Sequence, residues 1–343
     1  MKTKTAVLNG NPDAGNPHVR FDEGEVAPAK PRRGSLLYTA DRMRGFLTSV
    51  CLVACATAMT AHGFEYRPNP TIQNTETNIA YGAGKRCQLD VMWTKDKVSG
   101  LPVVIWFHGG GLVQGDKFFL PLTDHHIVQV AVRYPFLTED GSVGIDDILT
   151  ACAEAVDWTF KNIARYGGDP NRIFLSGHSA GGYITLMLGM DRRWLGRFGL
   201  DPVDLCGIVP LSGQATTHFN VRKYSGDTTS TYRPRIDDYA PLAHVDARDF
   251  PPMLVVCGDP SAGEWKGRAE ENELLVSSIR ACGHTNDLQF VRLDGMDHGA
   301  MRFPGYMYVQ RFIRRYAPTS GRRLAPRTGK ATSRSGERFG SKR

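Results

Sequence analysis

The stretch RIFLSGHSAGGYITLMLGM, Arg172–Met190, decides the fold class of this chain. Its first five residues have the apolar pattern of a buried parallel strand, and the residues from Gly182 onward favour a helix. Between the two lies Gly177–Gly181, which has the pattern G-x-S-x-G. On a sharp strand-to-helix turn this pattern lifts the serine oxygen above the sheet, and glycines flank the serine because larger side chains would clash there. The stretch therefore predicts an α/β fold with Ser179 as a nucleophile.

Strand and helix patterns alternate around this motif, from about Phe64 to Pro318. Several apolar runs are continuous, as in parallel strands that are covered on both faces, and an antiparallel pair is predicted within Thr77–Thr94. Such alternation indicates one doubly wound, mostly parallel sheet of about eight strands. The predicted strands are Leu101–Phe107, Ile127–Val132, Arg172–Ser176, Gly207–Leu211, Met253–Cys257 and Leu288–Leu293, and the predicted helices include Ile145–Arg165, Glu270–Cys282 and Gly305–Tyr316.

A second glycine-rich motif, His108–Gly111 with the sequence HGGG, follows directly after the predicted strand Leu101–Phe107. Acyl transfer builds negative charge on a carbonyl oxygen, and backbone N–H groups aimed at that oxygen stabilise the transition state. Consecutive glycines let the main chain approach such an oxygen closely. We expect this motif to form one half of an oxyanion hole and the N–H group of Ala180 to form the other.

The predicted base is His298, in the sequence DGMDHG (Asp294–Gly299) just after the last predicted strand. A serine becomes a nucleophile when a neighbouring group can accept its proton. The chain order, with the serine before the histidine, is that of a Ser…acid…His triad. Of the ten histidines in the chain, His298 is the one with this position.

Taken together, HGGG, YGGDPNRIFLSGHSAGG (Tyr166–Gly182) and GMDHG resemble the α/β-hydrolase superfamily. The similarity is greatest to its bacterial esterase and lipase branch, with the hormone-sensitive-lipase-like, feruloyl and acetylxylan esterases, and it covers roughly residues 75–315. The resemblance implies the α/β-hydrolase fold and a cofactor-independent Ser-His-acid mechanism. It also implies oxyanion donors at Gly110, Gly111 and Ala180.

The acid of the triad departs from the pattern of that branch, which places Asp or Glu about three residues after the glycine that ends the seventh strand. Here that glycine is Gly258, and Ser261 stands three residues later. Asp259 is our first expectation for the acid because it lies nearest the strand end. Glu264 remains open because its side chain has a longer reach, and Asp297 is a third choice.

The function predicted from these residues is serine-dependent hydrolysis of an ester. The segment Gln214–Phe250 is polar and contains no long apolar lid, which argues against an interfacial lipase and favours a small or carbohydrate-linked ester. Two other functions stay open. One is an arylformamidase-like amidase or peptidase, because the carbonyl chemistry is the same; the other is a non-catalytic binding module, although such modules typically lack the serine or the histidine.

The amino-terminal residues differ from this central domain, which we place at residues 63–318. Residues 1–42 have the composition of a disordered segment, or of an extension that precedes a true start at Met43. Residues 43–62 have the basic start, apolar run and small residues of a signal peptide, and the run is too short to span a membrane. A lipoprotein with an acylated Cys55 is an alternative. The protein is therefore expected to be secreted or periplasmic.

The net charge of +7 does not indicate a nucleic-acid partner. Residues 319–343 contain eight Lys and Arg and one Glu, so that this segment alone accounts for the excess and the rest of the chain is balanced. Its scarcity of apolar residues predicts a solvated, disordered tail.

No cofactor and no metal are predicted. His125 and His126 have no carboxylate or cysteine at ligand spacing in the sequence, and we interpret them as part of a polar turn. Five cysteines remain after removal of the signal peptide; their odd number and the lack of a CxxC spacing imply no disulfide.

Overall fold

The computed structural model describes residues 66–246, 249–265, 267–284 and 287–317. The predictions for residues 1–42, 43–62 and 319–343, including the signal peptide and Cys55, lie outside these residues. Within them, eight strands form a single sheet. The strands are β1 (Gln73–Ala80), β2 (Gln88–Thr94), β3 (Leu101–Phe107), β4 (Val128–Arg133), β5 (Gly168–His178), β6 (Gly207–Leu211), β7 (Met253–Cys257) and β8 (Leu288–Arg292).

The α-helices follow the fourth and later strands in the chain, and the last of them comes after β8. They are α1 (Ile145–Asn162), α2 (Ala180–Met190), α3 (Arg192–Gly196), α4 (Phe219–Tyr224), α5 (Arg268–Ala281) and α6 (Arg302–Tyr316). Helix α2 is buried along its whole length, which explains why its sequence is apolar without an amphipathic period. No helix in the described part of the chain is both long and apolar enough to cross a membrane.

The strand order is β1-β2-β4-β3-β5-β6-β7-β8, with β2 antiparallel to both of its neighbours and the remaining pairs parallel. Successive side chains of β3 point to opposite faces of the sheet and belong to two separate hydrophobic cores. Val103, Ile105 and Phe107 pack with buried residues of α1 and α2, whereas Val104 and Trp106 pack with buried residues of α6. The sheet is therefore covered on both faces, as the continuous apolar runs predict.

The register of the parallel strands determines which loops meet. Phe107 at the end of β3 pairs with Gly177 in β5, and His178 pairs with Leu211 at the end of β6. The loops that follow β3, β5, β6, β7 and β8 consequently leave the sheet at its carboxyl edge, where open α/β sheets bind their ligands.

The predicted doubly wound sheet of about eight strands is confirmed, and most element bounds differ by a few residues. Strand β5 begins at Gly168, earlier than the predicted Arg172, because Leu101 of β3 pairs with Gly168 across an irregular register. Helix α1 ends at Asn162, and the chain continues to Tyr166 as a 3₁₀ turn. The helices α3 and α4 were not predicted, since each is six residues or shorter and carries no periodic signal.

Candidate active site

Ser179 stands on a strained turn between β5 and α2. Its backbone has φ 58° and ψ −118°, a combination that non-glycine residues rarely adopt and that is often found at functional sites. The glycine pattern around it has a direct steric reason. A Cβ atom on Gly181 would lie 1.9 Å from the carbonyl oxygen of Phe107, and one on Gly177 would lie 2.3 Å from that of Gly181. Glycine at both positions lets α2 start against the end of β3 and exposes the serine at the strand end.

The HGGG loop lies beside this turn because β3 and β5 are neighbours. A Cβ atom on Gly109 would be 3.3 Å from that of Ser179. Gly110 has φ 113°, and a Cβ atom there would lie 2.0 Å from the carbonyl oxygen of Gln114, so the loop conformation requires glycine. The side-chain amide of Asn220, on α4, donates to the carbonyl oxygen of Gly111 at 2.7 Å and holds the loop from above.

The predicted oxyanion donors keep their N–H groups free. Within the described part of the chain, no hydrogen bond uses the backbone N–H of Gly110, Gly111 or Ala180. The N–H of Ala180 also lies at the first turn of α2, where unpaired amides and the helix dipole favour negative charge. Three amides near the serine are thus available to an incoming oxygen.

His298 lies in the loop that follows β8, with its ring directed toward the same edge of the sheet. Its Nδ1 atom is 2.7 Å from Oε1 of Glu264. Its backbone carbonyl is 2.9 Å from Nε2 of the buried His178, the residue before the serine, and the two rings are 4.6 Å apart. These contacts fix the histidine between the acid and the end of β5.

Glu264 is held as a carboxylate by several donors at once. Its Oε2 accepts hydrogen bonds from the hydroxyl of Ser212 at 2.5 Å and from the N–H of Gly258 at 3.0 Å. Its Oε1 accepts from the N–H of Trp265 at 2.8 Å, besides its contact with His298. Burial alone would raise the pKa of this carboxyl, but the hydrogen bond and charge of His298, then Ser212, outweigh it and lower the pKa to about 2.

The expectation that Asp259 is the acid is corrected by this geometry. The carboxylate of Asp259 accepts from the N–H and hydroxyl of Ser261 and, at 2.8 Å, from the N–H of Gly295, so it braces two loops against each other. The exposed Asp297 accepts from the N–H groups of its own turn. Of the three carboxylates considered, Glu264 is the one that contacts His298.

Arg268, at the start of α5, is a site residue that the sequence did not indicate. It is 2% exposed, and its Nη1 atom lies 3.5 Å from Oγ of Ser179 and 3.4 Å from Nε2 of His298. The serine oxygen and Nε2 of the histidine therefore both contact this guanidinium. In the sequence Arg268 adjoins Glu270 and Glu271 in a first helical turn, a pattern typical of a solvated helix end.

A cleft of about 790 Å³ opens over these groups. Trp265, which is 36% exposed, stacks on Phe219 with ring centres 4.9 Å apart, and both line the cleft. Part of the cleft wall comes from the polar segment Gln214–Phe250, through Phe219 and Asn220. This segment is held by the buried Arg222, whose Nε donates to Asp227 at 2.8 Å and whose other nitrogens bond to Thr229 and Arg233.

Two further histidines border the cleft as neutral groups. Burial lowers the pKa of His108 to about 4, and it lowers the pKa of His178 well below its usual range. His108 stacks on the buried Tyr134 with ring centres 4.2 Å apart. Neither histidine therefore brings a positive charge to the cleft near neutral pH.

His125 and His126 lie elsewhere, at the amino-terminal edge of the sheet just before β4. No carboxylate stands at ligand spacing from them in the sequence, but the fold brings Asp96 to them: its Oδ2 is 2.7 Å from Nε2 of His126 and 3.7 Å from that of His125. The three side chains place ligand atoms within 4.8 Å of one another, close enough to share an ion. This trio is remote from Ser179, at the opposite ends of the parallel strands.

Comparison with solved structures agrees with this architecture. A truncated form of a carbohydrate esterase from gut microbiota superposes with a TM-score of 0.59, covering 73% of this chain and 98% of that chain at 16% sequence identity. This chain has the α/β-hydrolase fold. The α/β-hydrolase fold that HGGG, the serine turn and GMDHG imply is thereby confirmed.

The region around the serine also matches known sequences. Residues 89–201, from β2 to just beyond α3, match the family model described as BD-FAE. Secreted lipase 5 of Gibberella zeae is 34% identical over 135 residues, which is 35% of this chain and 24% of that protein. The carboxylesterase of Mycobacterium tuberculosis is 32% identical over 134 residues, or 37% of this chain and 41% of that protein. The chain thus spans less than half of the length of either relative.

Proposed function

We propose that this α/β-hydrolase is a serine-dependent ester hydrolase that works through an acyl-enzyme. The observation that carries the proposal is the contact of 2.7 Å between Glu264 and His298, at the same edge of the sheet as the strained Ser179. A nucleophile, a base and a carboxylate that orients the base are the parts that acyl transfer requires. The similarity to a lipase and a carboxylesterase supports an ester as substrate.

In the first step His298 takes the proton of Ser179 through Nε2 while the serine oxygen attacks the ester carbonyl. The Glu264 carboxylate accepts the hydrogen bond of Nδ1, which selects the tautomer with a free Nε2 and stabilises the imidazolium that forms. Both reacting atoms contact Arg268. For proton transfer the serine oxygen and Nε2 of His298 must come within hydrogen-bond distance of each other.

The tetrahedral intermediate places a negative charge on the former carbonyl oxygen. The unused N–H groups of Gly110, Gly111 and Ala180 are the donors proposed for it, and each such donor is worth roughly 10²–10³ in rate. His298 then gives its proton to the leaving alcohol. Water attacks the acyl-enzyme in the same way and releases the acid and the free serine.

The proposed substrate is a small or carbohydrate-linked ester. A cleft of about 790 Å³ that is open to solvent accommodates more than a simple acyl chain. The stacked Trp265 and Phe219 present a flat aromatic wall beside the nucleophile, which suits the face of a sugar ring. The signal peptide expected in residues 43–62 supports a substrate outside the cytoplasm.

The test is a panel of esters assayed with the full chain and three variants. Paired phenyl acetate and acetanilide separate ester from amide hydrolysis, and acetylated xylo-oligosaccharides test the carbohydrate link. We expect the ester to be cleaved and S179A and H298A to lose at least about 10³-fold in kcat/KM. S261A serves as a matched control, because Ser261 is exposed and contacts Asp259 rather than His298.

Each outcome of this panel decides between functions. Cleavage of acetanilide in preference to phenyl acetate would replace the esterase by the amidase. Hydrolysis that survives in S179A, or that is absent from the wild type for every ester, would contradict the proposed function.

A further inference from the structure

Arg268 is a buried cation that has no carboxylate within ion-pair distance among the described residues, although Glu264 and Glu271 act on it from farther away. It is 2% exposed, and within the described part of the chain it forms no ion pair with an N–O distance of 4.0 Å or less. Its Nη1 donates to the backbone carbonyl of Ser212 at 3.0 Å, and its Nε atom is buried without a hydrogen bond. A buried charge of this kind is costly unless it is paired. A guanidinium kept unpaired beside the nucleophile is therefore poised for an anion.

The acidic groups nearest to Arg268 are committed to other donors. Glu264 is bonded as described above, to His298, Ser212 and two backbone amides. Glu271 accepts the hydroxyl of Thr216 at 2.9 Å and the N–H groups of Ala215 and Thr216. Both carboxylates attract the cation but accept no hydrogen bond from it. Besides its bond to the Ser212 carbonyl, Nη1 has only the long contacts of 3.4 and 3.5 Å with His298 and Ser179 in the described part of the chain, and a carboxylate of the ligand would replace these.

The rest of the cleft adds positive charge rather than negative. Arg302 lines the cleft and donates from Nε to the carbonyl of Gly299. Asp116 is the only carboxylate among the residues that line this cleft in the described part of the chain. It is neutralised by Arg133 through two contacts of 2.6 Å. An anionic group would thus meet two cations here and no free carboxylate.

We infer that the cleft is built for esters that carry a carboxylate, and that Arg268 binds this carboxylate. The inference rests on the proposed function and names the substrate class of that same site. Bidentate pairing with a carboxylate is the contact for which the planar guanidinium is best suited. Arg268 is then a specificity-determining residue, since it selects among esters that the serine and histidine would otherwise treat alike.

The position of Arg268 limits how far the carboxylate lies from the ester. Nη1 is 3.5 Å from the serine oxygen. A charge-assisted N–O contact is about 2.8 Å long, so a carboxylate oxygen on Nη1 lies within roughly 6 Å of the serine oxygen. Few bonds fit into that distance. The substrates inferred are short half-esters, with the carboxylate in either the acyl or the alcohol part.

The experiment compares anionic and neutral esters of matched size. Monoethyl succinate is paired with ethyl butyrate for a carboxylate in the acyl part, and acetoxyacetate with propyl acetate for one in the alcohol part. The readout is the ratio of kcat/KM for the anionic ester to that for its neutral partner. A purely structural role of Arg268 would change both members of a pair alike and leave this ratio unmoved.

We expect R268Q to lower the ratio about 10- to 100-fold for at least one pair, the range that one charged hydrogen bond supplies. R268K keeps the charge and should retain part of the preference, and it remains informative if R268Q folds poorly. R280Q is the matched control, because Arg280 lies on the same helix, is exposed and does not line the cleft; its ratio should stay within about threefold of wild type. Equal ratios in wild type and R268Q for both pairs would overturn the inference.

The proposed function and this inference fail separately. If the wild type cleaves the neutral esters without any preference for the anionic ones, the hydrolase stands and the anion subsite falls. If no ester is cleaved, calorimetric titration with monoethyl succinate still decides the inference. Binding to wild type that weakens about tenfold in R268Q supports it, and equal or absent binding in both proteins contradicts it.

Discussion

The carboxylate of Glu264 lies 2.7 Å from Nδ1 of His298, although the two residues are 34 positions apart in the chain. The contact depends on a short 3₁₀ turn at Pro260–Ala262 and on Gly263, which has φ 109°. These fold the chain back, so that the side chain of Glu264 lies next to the end of β7 and bonds to the N–H of Gly258. The side chain of Glu264 is fully buried, whereas that of His298 is 28% exposed. The acid is thus placed six residues after Gly258 rather than three.

The first prediction separates the two carboxylates that the sequence left open. E264Q keeps the size of the side chain but removes the charge that orients and stabilises the imidazolium, so we expect kcat/KM to fall about 10²- to 10⁴-fold. D259N changes a carboxylate that bonds to Ser261 and Gly295, and its kcat/KM should stay within about threefold of wild type. Steady-state ester hydrolysis measures both. A large loss in D259N with little loss in E264Q would reverse the assignment.

The second prediction concerns stability in acid. The pKa of Glu264 is lowered from 4.5 to about 2 in the folded protein, so the unfolded chain binds the proton first as the pH falls. The stabilisation by this carboxylate is complete above about pH 4.5 and is lost as the pH falls toward 2. The stability advantage of wild type over E264Q, measured by urea unfolding, should therefore shrink by up to about 3 kcal/mol over this range. An advantage that does not change with pH would contradict the ionised state of Glu264.

The positions of Ser179 and the HGGG loop could be predicted from the sequence, because both directly follow predicted strands. Ser179 and the HGGG loop sit directly on strand ends whose apolar runs are unmistakable, and β-strand pairing brings those ends together without further information. The acid could not be chosen in this way, because its position depends on the conformation of a loop after β7. Distance along the chain favours Asp259, but the left-handed Gly263 turns Glu264 inward instead.

Arg268 shows a second limit of sequence reasoning. A lone arginine in the first turn of a helix is ordinarily solvated, and nothing in its neighbours marks it as buried. It becomes buried because α5 packs against β7 and β8 with its amino terminus over the catalytic edge. The pairing of His125 and His126 with Asp96 is a similar case, since two turns distant in sequence meet at the other edge of the sheet.

The third prediction tests the support of the acid. Ser212, a buried residue at φ 45°, donates to Oε2 of Glu264 at 2.5 Å. S212A removes this donor to the charged form, which raises the pKa of Glu264 and destabilises the fold by about 1.5–3 kcal/mol. We expect kcat to fall roughly tenfold with little change in KM, since the ester does not touch Ser212. The acid-induced loss of stability should also begin at higher pH than in wild type; an unchanged acid profile would contradict the role of this hydroxyl.

The fourth prediction tests the HGGG loop with two glycine variants. In G110A the new Cβ atom would lie 2.0 Å from a backbone oxygen, so the loop must move away from its position beside Ser179. We expect kcat/KM to fall about 10²- to 10³-fold, the loss typical of a missing oxyanion donor. Gly141 is the matched control because it also has positive φ, at 70°, but has nothing within 4 Å. G141A should cost about 1 kcal/mol of stability and leave kcat unchanged; equal kinetic losses in both variants would argue against an oxyanion loop.

Ser179 is proposed as the activated nucleophile, and covalent labelling of this serine reports on its activation without any assumption about the substrate. The full chain is treated with a fluorophosphonate, and the adduct is located by mass spectrometry of its peptides. We predict one adduct, on Ser179, which forms in S261A as in wild type, forms more slowly in E264Q and is absent from S179A. Labelling at a different serine, or no labelling of a folded wild-type protein, would contradict the claim.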